Sequence, residues 1–164
     1  MINKTMQDAI NDQINRELYS SYLYLSMAAY FEDKNLSGFA HWMRVQEAEE
    51  RQHAMKFYDF IVERGGKVTL KAIDAPKTEW KSTLEVAEEV VAHEAFITAS
   101  IYTLYETALK EKDYPAQIML QWFISEQVEE EKNAAEVVAN LKLIEERGTA
   151  VLVLDHQLAK RAAG

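Results

Sequence analysis

Five side chains that can bind a metal ion recur on the predicted inner faces of four helical segments. Glu17, Glu50, Glu94 and Glu130 each interrupt an otherwise apolar stripe, and His53 lies one turn after Glu50. Residues three or four apart share a helix face, so Glu50 and His53 point the same way. Buried carboxylates without a cation are costly. Carboxylates with one imidazole and no sulfur suit iron or manganese, and zinc less exclusively, so the sequence predicts a metal cluster.

Two ions fit the number of predicted ligands. If Glu50 bridges both ions, one takes Glu17, Glu50 and His53 and the other takes Glu50, Glu94 and Glu130. Positions for water or dioxygen remain open in such a cluster. The basic residues considered as alternative partners lie off the apolar stripes: Arg16, Arg44, Arg51 and Lys56. A metal cluster therefore satisfies the carboxylates better than a protein salt bridge does.

Two further side chains lie one helical turn from these ligands. Gln127 and Tyr24 share their faces, and we expect them to bind weakly or to orient the ligands. Tyr24 is equally typical of a core aromatic residue. Glu129 and its neighbours Glu130 and Glu131 would ordinarily form a solvated face. Only the predicted stripe separates Glu130 from the residues beside it.

The elements that must position these residues are long helices. Apolar periodicity predicts helices over residues 3–33, 37–65, 83–112 and 114–145, and a short fifth helix over 149–161. Only two Pro and five Gly occur in 164 residues, which favours long helices. Ser37 is a candidate N-cap of the second helix, and Gly65 and Gly66 end it. The four glutamates lie near the middle of their helices, so they share one layer.

One connection is too long for a simple helix hairpin. Residues 66–82 contain Pro76 and can return along the length of the second helix, which makes the second and third helices parallel. The short turns at the other joints make their neighbours antiparallel. We therefore predict an all-α, ferritin-like topology: a four-helix bundle with one long crossover between the second and third helices and a short fifth helix, in one domain over residues 1–164.

Charge and composition narrow the possible partners. The formal net charge of −9 disfavours nucleic acids and anionic membrane surfaces and attracts cations. The chain contains no cysteine, which excludes disulfides and thiolate metal sites. No apolar run has the length of a membrane span, and charged residues interrupt the position of a signal peptide. We expect a cytoplasmic protein.

Longer motifs match a known family over nearly the whole chain. They are Asn11-Asp12-Gln13, Glu17-Leu18-Tyr19-Ser20, Glu49-Glu50-Arg51-Gln52-His53, His93-Glu94, Gln121-Trp122-Phe123 and Glu126-Gln127-Val128-Glu129-Glu130-Glu131. With these motifs the chain resembles the prokaryotic non-haem ferritins. Glu-x-x-His alone would be a weak signal, but the combined spacing is specific.

The resemblance implies a ferroxidase centre at the matching positions. It assigns the first iron to Glu17, Glu50 and His53, and the second to Glu50, Glu94 and Glu130. Gln127 lies close to these ligands and Tyr24 is adjacent to them. The family also has a third, weaker iron position on the inner side, whose ligands match Glu49, Glu126, Glu129 and Glu130.

Departures from related families are informative. Bacterioferritins carry a second Glu-x-x-His on the fourth helix, where this chain has Gln127 and Glu130, and a haem-ligating Met where it has Arg51. No haem is therefore expected. Rubrerythrins require a cysteine-ligated iron domain, and the miniature ferritins that protect DNA place their iron between subunits. Neither pattern matches this chain.

The resemblance further implies a hollow homo-oligomeric shell of 24 subunits. Such a shell oxidises Fe(II) with dioxygen or peroxide and stores Fe(III) as a hydrous oxide. The apolar side of the fifth helix is too small to fold alone: Val151, Leu152, Leu154 and Leu158. We expect it to be buried against symmetry mates at a four-fold axis, and to be exposed on a lone bundle.

Two other functions fit parts of the sequence. A non-catalytic helical bundle could hold zinc or calcium structurally in the same carboxylate layer. A di-iron oxidase of an organic substrate would need an apolar pocket beside the metals, which the sequence does not reveal. Iron-dependent oxygen consumption separates the structural reading from the catalytic ones.

Overall fold

The computed structural model describes residues 1–145 and 147–162. This part of the chain forms five helices and no strand: α1 (Lys4–Asp33), α2 (Ser37–Glu63), α3 (Thr83–Lys110), α4 (Tyr114–Ile144) and α5 (Gly148–Leu158). The predicted all-α fold is confirmed, and the predicted helix ends lie within three residues of the observed ones. Within the described residues, no helix is long and apolar enough to cross a membrane.

Local sequence signals begin and end most of these helices. The side chains of Asn3, Ser82 and Asp113 accept hydrogen bonds from backbone N–H groups in the first turns of α1, α3 and α4. Gly65, with φ of 68°, follows α2 in the left-handed conformation that glycine adopts without strain. The predicted N-cap at Ser37 is wrong, because Leu36 precedes the helix and makes no side-chain cap.

The crossover runs along α1. The Asn11 amide donates to the Lys67 carbonyl (3.0 Å) and accepts from Thr69 N (2.7 Å), and Asn15 donates to the Ala72 carbonyl (3.0 Å). The crossover therefore advances in the direction of α1 and opposite to α2. It delivers the chain to the end of the bundle where α2 began, so α2 and α3 are parallel as predicted.

The core is divided by a polar layer. One apolar cluster surrounds Phe31 and Phe39 at one end of the bundle, and a second surrounds Phe57 and Phe123 nearer the other end. The apolar stripes predicted to face inward are buried on all four helices. The exception is Phe60, the last residue of the predicted α2 stripe, which is half-buried. Buried glutamates interrupt each stripe between the two clusters. These glutamates gain no apolar packing from their position, so their burial needs another explanation.

The fifth helix folds back onto its own bundle. Val151 and Leu154 are buried in the first apolar cluster, whereas Leu152 and Val153 are exposed. The Asp155 carboxylate accepts a hydrogen bond from Phe39 N in the first turn of α2, at 2.8 Å. The prediction that the whole apolar side of this helix would be exposed on one subunit is therefore wrong for Val151 and Leu154. The distant Asp155 supplies the acceptor that Ser37 was predicted to provide.

Candidate metal centre

Three of the predicted ligands meet in the buried layer. Glu17 on α1 and Glu50 and His53 on α2 each offer one ligand atom, and these atoms all lie within 4.8 Å of one another. All three side chains are buried. His53 Nδ1 lies 3.6 Å from Glu50 Oε2, which follows from their spacing of three residues on one helix. Distances of this size leave room for an ion between the side chains.

Glu94 on α3 and Glu130 on α4 flank this group from the opposite pair of helices. Both are buried, and their negative charges contribute to raising the pKa of Glu50. The tightest group contains Glu17, Glu50 and His53, and Glu94 and Glu130 lie beside it. The four helices thus bring five potential ligands to one layer, as the common height of the glutamates predicts.

Neutral donors orient three of the four carboxylates. Gln13 Nε2 donates to Glu17 Oε1 at 2.8 Å, and Gln46 Nε2 donates to Glu130 Oε2 at 2.9 Å. Glu94 accepts from two sources: Gln127 Nε2 at 3.1 Å and the Tyr24 hydroxyl. Gln127 also donates to Thr98 Oγ1 at 3.1 Å. Predicted Tyr24 and Gln127 therefore both act on Glu94 in this structure.

Glu50 is the exception. Neither of its side-chain oxygens accepts a hydrogen bond from a neutral donor among the described residues, and the same holds for Glu17 Oε2. A hydrogen bond between Glu50 and Glu17 requires a proton on one of the two carboxyls. A buried polar group without a partner costs about 1–3 kcal/mol, and more when it is charged. A ligand atom of Glu50 lies within 4.8 Å of one on Glu17, and the charges of Glu94 and Glu130 also act on Glu50. This pattern fits a bridging ligand better than a structural residue.

The pKa values of the buried glutamates also show that their charged forms are disfavoured. Burial, followed by the charge of Glu50, raises the pKa of Glu17 well above its ordinary range. Burial and the charge of Glu94 do the same for Glu50. Burial raises the pKa of Glu94, and burial with the charge of Glu94 raises that of Glu130 to about 7. Without a cation, the layer therefore retains protons near neutral pH.

Aromatic rings hold the imidazole of His53. Its ring meets Trp122 and Phe123 edge to face, at centroid distances of 5.6 and 5.8 Å. Phe123 stacks in turn on Phe57, with centroids 4.0 Å apart. Lys56 Nζ lies 4.2 Å from the centroid of the outer ring, Trp122. These contacts fix the orientation of His53 toward Glu50.

A second histidine, His93, packs against the ring of Tyr24. The His93 ring meets the Tyr24 ring edge to face at 5.7 Å, and His93 Nε2 lies 2.7 Å from Ser20 Oγ. Burial lowers the pKa of His93 to about 4, so this imidazole is neutral at physiological pH. His93 thus packs against the aromatic residue that donates to Glu94. It lies outside the group of three close ligands.

The three glutamates predicted for a third position have different surroundings. Glu49 is buried, and its Oε2 lies 3.1 Å from Arg161 Nη2. Glu126 is half-buried and Glu129 is exposed on α4. The structure brings only Glu49 of these three into the buried layer. The pKa of Glu130 is raised in part by the charge of Glu49, which shows that the two are near each other.

Sequence reasoning assigned no role to four residues that act on the layer. Gln13, Gln46 and Thr98 form hydrogen bonds within it, and Arg161 forms an ion pair at its edge. Gln13 could have been found, because it lies one turn before Glu17 on the same face. Arg161 could not have been found in this way, because its position depends on the path of the chain after α5. The sequence analysis considered only Arg16, Arg44, Arg51 and Lys56 as basic partners, and the basic side chain that reaches Glu49 is Arg161.

Comparison with known proteins defines the class of the chain. Residues 7–144 match the ferritin-like domain family. A bacterial non-haem ferritin of Bacteroides fragilis is 43% identical over 161 residues, covering 98% of this chain and 100% of the relative. One from Staphylococcus haemolyticus is 40% identical over 162 residues, covering 99% and 98%. The chain belongs to the ferritin family, whose members store iron, and within it to the bacterial non-haem ferritins.

Solved structures agree with this assignment. A closed form of the Archaeoglobus fulgidus ferritin, engineered by site-directed mutagenesis, has a TM-score of 0.98 at 49% identity and covers 100% of both chains. An open-pore ferritin from the same hyperthermophilic archaeon has a TM-score of 0.97 at 50% identity and covers 98% of both chains. The fifth helix and the crossover are thus included in the similarity.

Proposed function

We propose that this chain oxidises Fe(II) to Fe(III) with dioxygen or peroxide at a di-iron centre inside its own bundle. The product would be stored as a hydrous ferric oxide within a hollow shell of 24 copies. Membership of the ferritin family supports iron storage. The observation that carries the catalytic part is Glu50, a buried carboxylate whose two oxygens have no neutral hydrogen-bond donor among the described residues.

In this proposal the glutamates divide between two ions. Glu17, Glu50 and His53 hold the first, and Glu50, Glu94 and Glu130 hold the second. The three-ligand group within 4.8 Å supports the first assignment. The electrostatic coupling of Glu94 and Glu130 to Glu50 supports the second. Carboxylate-rich sites suit Fe(II), which loses one electron per ion to the oxidant.

The chain's own residues prepare the ligands and handle protons. Gln13, Gln46 and Gln127 each fix one carboxylate, so the ligands are oriented before iron arrives. The carboxyls that retain protons near neutral pH release them as cations bind. Tyr24, whose pKa is raised well above its ordinary range by burial and then by Glu94, remains a protonated donor.

We further propose a third, weaker iron position and a shell plug. Glu49, Glu126, Glu129 and Glu130 would bind iron at the inner mouth and pass it onward. Exposed Leu152 and Val153 on α5 would be covered by symmetry mates. Their apolar side chains support this role, because Val151 and Leu154 on the other face already pack on the bundle.

Aerobic iron oxidation by purified oligomers tests the proposal. Size-exclusion chromatography measures the size of the oligomer. An oxygen electrode and stopped-flow absorbance then measure oxygen consumption and iron oxidation after Fe(II) is added. We expect rapid oxidation that saturates at two ions per subunit, and Ala variants of Glu94 and Glu130 that bind about one. A chain that binds zinc or calcium tightly but takes up no oxygen with Fe(II) would be a structural metal bundle instead.

A further inference from the structure

A basic side chain from the end of the chain lies at the edge of the acidic layer. Arg161 follows α5, and its Nη2 lies 3.1 Å from Glu49 Oε2. The contact is largely shielded from solvent, since the Arg161 side chain is 22% exposed and that of Glu49 is 10% exposed. The positive charge of Arg161 also acts on Glu130, where it opposes the rise in pKa. The guanidinium thus contributes a cation to two carboxylates of the proposed inner iron position.

The guanidinium is not fully satisfied in this place. Its Nη1 is buried and has no hydrogen-bond partner among the described residues. An arginine fork matches a carboxylate best when two nitrogens bond in parallel. Among the described contacts, only Nη2 of Arg161 bonds to Glu49. Desolvation of the unpaired nitrogen offsets part of the attraction. The ion pair is therefore one that a smaller divalent cation could displace.

Arg161 also closes a set of contacts that dock the C-terminal segment on α2. The His41 ring donates from Nε2 to the Arg161 carbonyl at 2.8 Å. Six residues earlier, Asp155 accepts from Phe39 N. The segment is thus attached at both ends to the first turns of α2, and Glu49 lies two turns further along that helix. Release of the guanidinium would remove the contact nearest the metal layer.

We propose that Arg161 is an internal competitor of a divalent metal ion for Glu49. A cation bound at the inner carboxylates displaces the guanidinium and loosens the C-terminal segment, and docking of the segment weakens cation binding there. The two effects are equal in free energy, because coupling between two binding events is reciprocal. The inference rests on the proposed function, since Glu49 is a ligand only if the inner position exists.

Calorimetric titration of the intact oligomer with Co(II), without oxygen, measures the competition. Arg161→Gln should leave the first two ions per subunit unchanged and tighten the weaker third by about tenfold, within the usual range of coupling. Lys160→Gln is the matched control, because it removes the same charge from the neighbouring, exposed position. The Lys160→Gln variant should bind the third ion with the wild-type affinity. Arg161→Lys should retain most of the competition.

Hydrogen exchange measured by mass spectrometry supplies the second readout. Co(II) should accelerate exchange of peptides spanning residues 155–162 in the wild type. It should change the exchange little in Arg161→Gln, because that variant already lacks the ion pair with Glu49. Equal third-ion affinity in wild type and Arg161→Gln, with exchange unaffected by Co(II), would overturn the competition while the first two sites remain. Loss of those two sites from the wild type would instead refute the di-iron centre itself.

Discussion

Gly38 lies directly against the backbone of Asp155. A Cβ atom placed on Gly38 would lie 1.7 Å from the Asp155 carbonyl oxygen and 2.5 Å from its carbonyl carbon. Only a residue without a side chain lets α5 approach α2 this closely. The same approach brings the Asp155 carboxylate to Phe39 N. One glycine in α2 therefore determines whether α5 can dock.

Gly38→Ala should destabilise the protein, although the same change in most helices stabilises by about 1 kcal/mol. The new methyl group must push α5 away, which removes the cap on α2 and exposes Val151 and Leu154. We expect a fall of several degrees in the melting temperature, measured by scanning calorimetry. Gly148→Ala is the control, because a Cβ there meets nothing within 4 Å. Equal melting temperatures for the two variants would contradict the docking role.

Deletion from Thr149 onward should spare initial iron oxidation, because every proposed ligand precedes that point. The truncated chain loses the Asp155 cap, worth about 1 kcal/mol. It also loses the packing of Val151 and Leu154, worth about 1.5–3 kcal/mol each, so it should be less stable by several kcal/mol. Iron retention should fall as the shell leaks or fails to close. Analytical ultracentrifugation of the truncated protein with and without iron measures shell closure and iron retention. Asp155→Ala is the control, because it removes only the cap on α2 and leaves the rest of α5 in place. Closed truncated particles that hold full iron would rule out a plug.

Glu50→Ala and His53→Ala should each abolish the fast phase of Fe(II) oxidation while the shell still assembles. Ligands that repel one another contribute little to packing, so assembly does not need them. Stopped-flow absorbance after mixing with Fe(II) and oxygen measures the loss. Gln52→Ala, at an exposed position between the two on α2, should oxidise iron at the wild-type rate. Wild-type rates in both ligand variants would sink the assignment.

The buried glutamates should make the metal-free protein lose stability as pH rises from about 4.3 to 7. The lowered pKa of His93 has the opposite effect, but the pKa values of Glu17, Glu50 and Glu94 are raised as well as that of Glu130, so the loss should prevail. Glu130 has a pKa of about 7 in the folded state, against about 4.3 when unfolded. The folded state therefore binds more protons in this interval, and each pKa unit costs about 1.4 kcal/mol. Melting temperatures at several pH values measure the loss, which Glu130→Gln should reduce. A melting temperature that rises across this interval would be the opposite of our expectation.

Tyr24→Phe should weaken the second ion more than the first. The substitution removes the hydroxyl that donates to Glu94 Oε1, and leaves a buried oxygen without that partner. We expect about tenfold weaker binding of the second ion in anaerobic titration, with the first unchanged. Tyr19→Phe is the control, since Tyr19 also contacts His93 but forms no hydrogen bond to Glu94 among the described contacts. Equal losses in both variants would argue against a specific role of Tyr24.

The bundle and its polar layer follow from periodicity because both depend on local spacing. A single glutamate on an apolar stripe must point inward once the stripe is buried. The glutamates of the four stripes are all buried: Glu17, Glu50, Glu94 and Glu130. Glu-x-x-His places His53 beside Glu50 for the same reason. These relationships lie within one helix or between helices joined by short turns. The register of α3 and α4 against α1 and α2 depends on the crossover, which is tied to α1 by hydrogen bonds.

Contacts of the C-terminal segment could not be predicted in this way. Asp155 and Arg161 meet α2 through contacts more than a hundred residues apart in sequence. Their positions depend on the angle at which the chain turns after α4, and no periodic pattern encodes that angle. The wrong prediction of Ser37 as the N-cap of α2 has the same origin. A local cap was predicted, but the carboxylate of the distant Asp155 accepts the hydrogen bond from Phe39 N.

The candidate ligands enter the layer from four separate helices, and Glu94 does so only after the crossover has returned along α1. A chain still emerging from the ribosome, or one that has lost its packing, cannot gather these groups around an ion. If the layer oxidises iron as we propose, that oxidation is confined to fully folded subunits. The topology makes completion of the fold the condition for assembling the proposed centre.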